Sequence, residues 1–446
     1  MTKDLTTGSP IKSIIRFSLP ILIGNLFQQI YNIVDSAIVG KFVGVEALAG
    51  VGSTGAINFL IIGFVTGTCA GFCIPISQSY GAGDYNKLRK YYAHAIMIAA
   101  VMAVTATTLT LIFIKQILIL MQTPDEIFTY AQVYISTIFA GIPGILLYNL
   151  LASTLRSIGD SKTPVLFLTG AAFLNVALDL IFIIYFDWGV LGAGLATVIS
   201  QTTAGVLCLL LIIKKFYILK VEKEDFKFDY SCAKHLCKIG FPMGLQFSIT
   251  ALGSTILQAS INGLGAIYVA SITAASKINL FAIQGLEAMG LTMATFAGQN
   301  LGAKKPERVS IAVKQVLVVG AIYSVLAFVV LQITAPYLSL IFVSADETEI
   351  ITCICQFLTV NSVAYIFLAT LLVLRNTIQG LGYSTFAMIA GGTELLGRGF
   401  VALVLVPNFA YAGAIFGNAT SWFFAVLFLV PAYIVIYKKV KLKHIS

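Results

Sequence analysis

Four oxygen-bearing side chains in the first half of the sequence could together bind a small cation. Asn175 and Asp179 are four residues apart and so share one face of a helix, while Asp35 and Thr197 lie in two other apolar stretches of helical length. Carboxylate, amide and hydroxyl oxygens are hard ligands that suit Na⁺, and two carboxyls held close together in an apolar medium can instead take up a proton. The alternative is that these groups only form hydrogen bonds between helices.

The stretch around Asp35 carries further polar side chains. Gln28 and Asn32 precede Asp35 by seven and three residues, which places all three on one helix face, and Tyr31 borders that face. A polar stripe on an apolar helix must face the protein interior or a water-filled cavity. We therefore expect Gln28, Tyr31 and Asn32 to join a polar network or to line a substrate cleft.

Charged residues also interrupt apolar stretches in the second half of the sequence. Glu394 and Arg398 are four residues apart, a spacing typical of an ion pair within one helix, and the alternative is a polar network that senses substrate or protons. Lys277, from another predicted helix, is an alternative partner for Glu394. Glu287 lies ~15 Å along its helix from Lys277, so it would act separately, either binding a cationic compound or making a structural contact.

Aromatic and methionine side chains are candidates for contact with organic substrates. Aromatic rings attract organic cations, and flexible methionines adapt to varied partners. On this basis Tyr31, Tyr134, Tyr148 and Met289 are candidate cleft residues. The alternative for each is packing or lipid contact, because the chain contains 31 Phe and 19 Tyr.

The elements that position these residues must be membrane-spanning helices. Of the 446 residues, 58% are hydrophobic and 11% are charged, less than half of the roughly 25% charged fraction of soluble domains. Long continuous apolar runs favour helices over the alternating strands of a β-barrel. The sequence predicts an all-α membrane protein with twelve spans, over residues 14–38, 47–79, 92–114, 127–155, 164–186, 189–213, 236–261, 267–299, 310–333, 350–374, 383–406 and 411–437.

The distribution of basic residues predicts the orientation of these spans. The net charge of +9 comes from 28 Lys and Arg against 19 Asp and Glu. Nearly all of the basic residues, Arg375 included, fall into alternate loops, and among the loops only Lys41 and Lys115 lie on the opposite side. The positive-inside rule then predicts an even number of spans with both termini cytoplasmic. The excess charge marks the cytoplasmic face of the protein, so we expect no nucleic-acid partner.

The two halves of the sequence repeat each other at a nearly constant offset. Residues 214–235 form the longest polar stretch and are predicted to be a cytoplasmic linker between an N-lobe, 1–213, and a C-lobe, 236–446. A parallel repeat predicts two pseudo-symmetric six-helix bundles with a cleft that opens alternately to each side, which is the architecture of a transporter. Matching segments include RFSLPI (16–21) with KIGFPM (238–243), QSYGAGDYNKL (78–88) with QNLGAKKPERV (299–309), and LRSIGDS (155–161) with IQGLGYS (378–384).

The sequence resembles the multidrug and toxic compound extrusion (MATE) family. The resemblance rests on the paired QxxGA-type signatures Gln78–Ala82 and Gln299–Ala303, together with Pro20 and Pro242 early in the first helix of each half. It covers nearly the whole chain and implies a V-shaped pair of six-helix lobes. It also implies a bacterial plasma-membrane antiporter that exports organic, often cationic, compounds in exchange for Na⁺ or H⁺.

The resemblance is to the branch of the family that has its cation site in the N-lobe. The repeat places Leu257 and Ala402 where the first half has its two acids, so the C-lobe lacks them. This asymmetry argues against a purely architectural role for the acids. The implied ligands of the coupling Na⁺ or H⁺ are Asp35, Asn175, Asp179 and Thr197.

Two other functions are weighed against export of organic compounds. A flippase for lipid-linked saccharides would need several fixed cations for pyrophosphate, and Lys277 and Arg398 are the cations expected within helices. A membrane-embedded enzyme would need a catalytic constellation, for which the pair Asp35 and Asp179 is the candidate. We expect a monomeric protein without enzymatic activity, with no cofactor beyond the coupling ion, and with small organic substrates and the lipid bilayer as partners.

Overall fold

The structure is a computed structural model that describes residues 4–445, and every regular element in this range is a helix. The predicted lobe ends at residues 1–3 and 446 lie outside the described residues. The first half contains α1 (Pro10–Phe42), α2 (Val45–Ser53), α3 (Gly55–Gly81), α4 (Tyr85–Leu120), α5 (Asp125–Ala140), α6 (Ile142–Ser157), α7 (Lys162–Asp179), a π-helix π1 (Leu180–Tyr185) and α8 (Gly189–Lys215).

The second half repeats this order after two short 3₁₀ turns, Tyr217–Leu219 and Lys223–Phe226. Its elements are α9 (Tyr230–Asn262), α10 (Ala266–Gly302), α11 (Pro306–Ser339), α12 (Thr348–Val363), α13 (Tyr365–Gly380), α14 (Ser384–Phe400), a second π-helix π2 (Val401–Leu405), α15 (Val406–Ala414) and α16 (Gly417–Ile445).

The helices of the described chain confirm the prediction of an all-α membrane protein. Between residues 4 and 445, nine helical segments are long and apolar enough to cross a membrane, and two bent pairs, α5 with α6 and α12 with α13, qualify as one span each. The bends of 49° and 47° fall at Gly141 and Ala364. The remaining predicted span is α9, which has 33 residues but is less apolar than the others.

The described chain divides into two compact units. The first unit contains Ile23–Gly244, and the second contains Leu5–Leu22 together with the chain from Leu245 onward. Helix α1 therefore begins in the second unit and continues in the first, whereas α9 begins in the first unit and continues in the second. The lobe boundaries predicted from the sequence stay a prediction.

The segment that precedes α1 is bound within the second unit by hydrogen bonds between its main chain and side chains of α10 and α11. We name residues 5–8 the N-terminal strap. Leu5 is fully buried; its amide donates to Gln299 Oε1 (3.1 Å), and its carbonyl accepts from Asn300 Nδ2 (3.1 Å). The Arg308 guanidinium donates to three carbonyls of the strap at 2.9–3.4 Å. Gln299 and Asn300, from the second of the paired signature sequences, thus hold Leu5 of the strap.

Two helices of the first unit cross at a contact that only glycine permits. A Cβ atom added to Gly71 of α3 would lie 2.5 Å from the Cα atom of Gly240 in α9, and one added to Gly240 would lie 2.5 Å from the Phe72 ring. One turn further along α9, a Cβ atom on Gly244 would lie 2.2 Å from Thr68 Oγ1. Any larger side chain at this crossing would force the two helices apart.

Candidate cation site in the first unit

The two acids predicted to bind a cation lie side by side in the first unit. Asp35 is in α1 and Asp179 is the last residue of α7, where its side chain is completely buried. The two carboxyl groups are within hydrogen-bonding range of each other. Within the described chain, no donor reaches Asp35 Oδ1 or either carboxylate oxygen of Asp179. Because two ionised carboxylates cannot donate to each other, this pair needs a proton or another cation between or beside them.

Neutral oxygen atoms from α7 and α8 complete the surroundings of the acid pair. Asn175, 2% exposed and one turn before Asp179, donates from Nδ2 to Thr197 Oγ1 at 3.4 Å. This orientation leaves Asn175 Oδ1 buried without a donor, and Ser200 Oγ is in the same condition. Asn175, Thr197 and Ser200 line a cavity of about 10 Å³, which is the space that one water molecule or small ion occupies.

Tyrosine and glutamine side chains border this site. The Tyr31 hydroxyl is within hydrogen-bonding range of Gln28 and Gln201, and Tyr31 and Gln201 line the same small cavity. Tyr134, only 9% exposed, is close enough to Asp35 to interact with it electrostatically. These groups supply polar contacts around the acids while keeping the site away from bulk solvent.

A change of helix type begins directly after Asp179. The π-helix π1 starts at Leu180, and π2 begins at Val401 in the second unit, so this distortion belongs to both repeats. Single π-turns within α-helices are frequent at functional sites. Where the first repeat has Asp179, the second has Ala402, whose carbonyl accepts a hydrogen bond from Ser260 Oγ at 3.0 Å. The π-turn is therefore architectural, whereas the acid is particular to the first unit.

The charged residues of the second half form a different arrangement from the acid pair. Glu394 accepts from Arg375 Nη1 at 3.0 Å and lies 3.9 Å from Arg398 Nη2. Arg398 also donates to the Thr250 carbonyl at 3.3 Å. Glu287 is within electrostatic range of Arg375 and Glu394. The charges in this cluster therefore largely compensate one another within the second unit.

Two expectations about this cluster are wrong. Arg375 does not lie in a cytoplasmic loop: it is within α13, and its side chain is 12% exposed because the guanidinium turns inward to Glu394. Lys277 is not the partner of Glu394, since both ion-pair positions on that carboxylate are taken by arginines and the Lys277 side chain is exposed.

The other candidate cleft residues differ in their surroundings. Tyr148 is buried and donates to the Pro164 carbonyl at 3.2 Å, which ties α6 to α7. Met289, 8% exposed, packs in the hydrophobic core of the second unit. Asn32 is exposed on α1. Tyr148 and Met289 are therefore packing residues, whereas the Asn32 side chain is exposed.

Three residues of the acid-pair site and of the charged cluster around Glu394 were not predicted from the sequence. Ser200 and Gln201 follow Thr197 by three and four residues, and this helical spacing would have pointed to both of them. Arg375 lies near the end of an apolar segment, where the sequence does not distinguish a side chain that reaches the cytoplasm from one that turns inward. No cluster of three or more His, Cys, Asp or Glu residues lies together in the part of the chain that the structure describes.

A duplicated set of membrane-spanning helices with a buried acid pair in one repeat defines a polytopic membrane protein of the secondary-transporter class. A solved structure described as the outward-facing conformation of a multidrug resistance MATE family transporter has a TM-score of 0.92 to this chain, at 23% identity over 99% of both chains. A MATE structure in complex with MaL6 has a TM-score of 0.89, at 23% identity over 98% of this chain and 100% of that one. These similarities show the same fold.

Sequence relatives and a family match also link the chain to multidrug transporters. The probable multidrug resistance protein YpnP of Bacillus subtilis (strain 168) is 28% identical over 312 residues, which cover 69% of this chain and 68% of the relative. The multidrug export protein MepA of Staphylococcus aureus (strain MSSA476) is 24% identical over 416 residues, 92% of this chain and 89% of the relative. The MatE family matches the chain twice, over residues 20–181 and 242–403. The chain belongs to the MatE family, which confirms the resemblance seen in the sequence.

Proposed function

We propose that the protein is a multidrug efflux antiporter in which a cation bound at Asp35 and Asp179 drives the export of organic compounds. Relatives that match most of the chain are named as multidrug resistance or export proteins. The chain shares their family. The coupling ion, Na⁺ or H⁺, enters through the first unit in this proposal.

One observation carries the proposal: oxygen atoms of Asp35, Asn175, Asp179 and Ser200 are buried without a donor in one region of the first unit. A buried charge without a partner costs several kcal/mol, and a buried polar oxygen without a donor costs about 1–3 kcal/mol. Such a cluster is expected to persist where a cation completes it for part of a working cycle.

The donor set fits both candidate ions. Two carboxylates, an amide oxygen and hydroxyls are the hard oxygen ligands that a small alkali ion prefers. The same carboxylates can share one proton, because a proton removes the repulsion between two close negative charges. When bound, the ion would supply positive charge to the pair, and Asn175 and Thr197 would orient oxygen atoms toward it.

Helix α1 is the element through which binding would affect the rest of the chain. Asp35 lies in the part of α1 that belongs to the first unit, while Leu5–Leu22 belongs to the second. Neutralising the acid pair removes repulsion between α1 and α7, so α1 can move closer to α7 and α8. Pro20 lies inside α1 near the change of unit, and the hydrogen bond that a proline removes makes this a favourable point for bending.

The alternative of a flippase for lipid-linked saccharides is not favoured. Pyrophosphate recognition needs arginines with free donors, and Arg375 and Arg398 are both directed at Glu394. The neutral balance of this cluster suits uncharged or cationic compounds better than a pyrophosphate.

The proposal includes a location and an orientation. The excess of basic residues in alternate loops supports both termini in the cytoplasm, and the bacterial relatives support a plasma-membrane protein of bacteria. We propose a monomeric working unit. Tags at the two ends of the chain, probed with protease in intact cells and in inverted vesicles, test this orientation.

Transport assays with separately imposed gradients test the coupling. Inverted vesicles that contain the protein are given either a pH gradient or a Na⁺ gradient, and uptake of a fluorescent organic cation is followed. We expect one gradient to drive uptake by the wild type, and Asp35→Asn and Asp179→Asn to lose gradient-driven uptake. Asp187→Asn is the matched control because Asp187 is exposed. Wild-type uptake by Asp35→Asn would refute the proposed coupling site.

A further inference from the structure

A donor-rich cavity lies where the chain between α8 and α9 meets α4. We name it the linker cavity; it measures about 340 Å³, and all of its lining residues belong to the first unit. Lys87 and Lys90 extend into its wall from α4, and Ser231 and His235 come from the first turns of α9, with Tyr91 between them. Ammonium, hydroxyl and imidazole groups dominate this wall, and all of them can donate hydrogen bonds.

Asp229 is the one carboxylate among the residues that line the cavity, and its oxygens are already used. Asp229 Oδ2 accepts from Lys90 Nζ at 2.6 Å. Asp229 Oδ1 accepts from the amides of Ser231 (2.8 Å) and Cys232 (3.3 Å) at the start of α9. Lys90, followed by these amides, holds the pKa of Asp229 below its usual range. Asp229 thus stays ionised, and the Lys90 ammonium balances its charge.

Positive charge remains on Lys87, one turn before Lys90 in α4. Lys87 forms no ion pair within residues 4–445, and its Nζ stands 5.9 Å from the centre of the Tyr91 ring. The His235 ring is 5.7 Å from the same tyrosine ring. Burial, reinforced by Lys87 and Lys238, lowers the pKa of His235. Besides desolvation, the positive charge of Lys87 therefore acts on this histidine.

We propose that the linker cavity binds a phosphate group, held by Lys87, Lys90 and His235. Two of the three Lys90 ammonium donors remain beside the bond to Asp229, Lys87 and His235 add further donors, and the volume admits a phosphate with part of its ester. The basic loops predict that this end of the protein is cytoplasmic. Anionic phospholipid headgroups of that leaflet and free phosphate are the two sources of such a group.

The chain has three histidines, so the His235 side chain can be followed by NMR after histidine-specific isotope labelling, with His235→Gln giving the assignment. The full chain is placed in nanodiscs of a neutral, phosphate-free galactolipid, of the same lipid with added inorganic phosphate, and of the same lipid with phosphatidylglycerol. A phosphate beside His235 should raise its titration midpoint by about 0.5–1 pH unit. A rise with phosphatidylglycerol alone identifies a lipid headgroup, and a rise with inorganic phosphate identifies free phosphate as sufficient. No rise in either arm overturns the proposal.

Two lysine variants separate a bound phosphate from the general surface potential of an anionic membrane. Lys87→Gln should abolish the rise, while Lys115→Gln, which changes another exposed lysine of the same helix, should retain it. An unchanged rise in Lys87→Gln overturns the proposal. Native mass spectrometry gives an independent measure: the wild type and Lys115→Gln should retain more phosphatidylglycerol than Lys87→Gln if the source is lipid.

Discussion

Replacing Asp179 by asparagine should stabilise the protein while abolishing its response to cations. Asp179 is completely buried, neither of its carboxylate oxygens has a donor, and the Asp35 carboxyl lies beside it. In Asp179→Asn the new amide can donate to Asp35 Oδ1, which also lacks a donor. A hydrogen bond to a charged group contributes ~1.5–3 kcal/mol, and the repulsion between two carboxylates disappears as well. We expect a gain of at least ~2 kcal/mol when no cation is bound, opposite in sign to the ~1 kcal/mol loss of an average substitution.

Thermal unfolding of the purified full-length chain measures this effect. At pH 8 without Na⁺, Asp179→Asn should unfold at a higher temperature than the wild type. Added Na⁺, or a lower pH if the coupling ion is H⁺, should raise the unfolding temperature of the wild type, because a ligand that binds only the folded state stabilises it. The variant should not respond. Asp187→Asn is the control, since Asp187 is exposed with φ 55°, a conformation that asparagine tolerates well.

A lower unfolding temperature of Asp179→Asn than of the wild type, together with a retained response to the ion, would refute this prediction. That result would mean that the acid pair is already satisfied and that the cation binds elsewhere. Equal stabilisation of the wild type and the variant by Na⁺ would point to the same conclusion.

Three further substitutions test the packing of the two units. Glu394→Gln removes the carboxylate to which both Arg375 and Arg398 are paired and should cost about 3–5 kcal/mol of unfolding free energy, measured by thermal or denaturant unfolding. A wild-type stability would contradict the ion-pair network. Arg308→Gln removes three hydrogen bonds to carbonyls of the N-terminal strap and should lower the hydrogen-exchange protection of the Leu5 amide, which still donates to Gln299, with global unfolding changed by about 1 kcal/mol or less. Unchanged protection would count against the strap. The side chain introduced by Gly240→Leu should overlap Phe72 and reduce the yield of monodisperse protein in size-exclusion chromatography. Gly52→Leu is the control, because a Cβ atom added there meets nothing within 4 Å. Equal yields of the two variants would contradict the close helix crossing.

The sequence predicted the helical membrane fold and the repeat because both depend on the solvent around the chain. A bilayer demands long apolar runs and retains basic residues on one side, and these demands appear directly in composition and spacing. The family matches residues 20–181 and 242–403, and these two ranges are separated by the same offset as the predicted repeat. Asp35 and Asp179 could be selected for a similar reason, since a carboxylate within an apolar run has few structural explanations.

Features that depend on tertiary contacts could not be predicted in the same way. Arg375 required knowledge that Glu394 faces it from the next helix. The bend at Gly141 accompanies a close contact with α8, since a Cβ atom added to Gly141 would lie 2.2 Å from a methyl group of Val198. The π-helix after Asp179 has no signal in the spacing of apolar residues. Helical periodicity is insensitive to such local contacts, so both features appear only in three dimensions.

The N-terminal strap sets an order for biosynthesis. The amide of Leu5 and the side chain of Gln299, which it meets, are separated by 294 residues. At the ~5–20 residues per second of translation, the strap leaves the ribosome roughly 15–60 s before its partner exists. The first helix can enter the membrane during this interval. The strap, however, cannot form its hydrogen bonds until α10 and the start of α11 have been synthesised. Folding therefore cannot be completed in the order of synthesis, because the N-terminal strap is among the last segments to reach its final position.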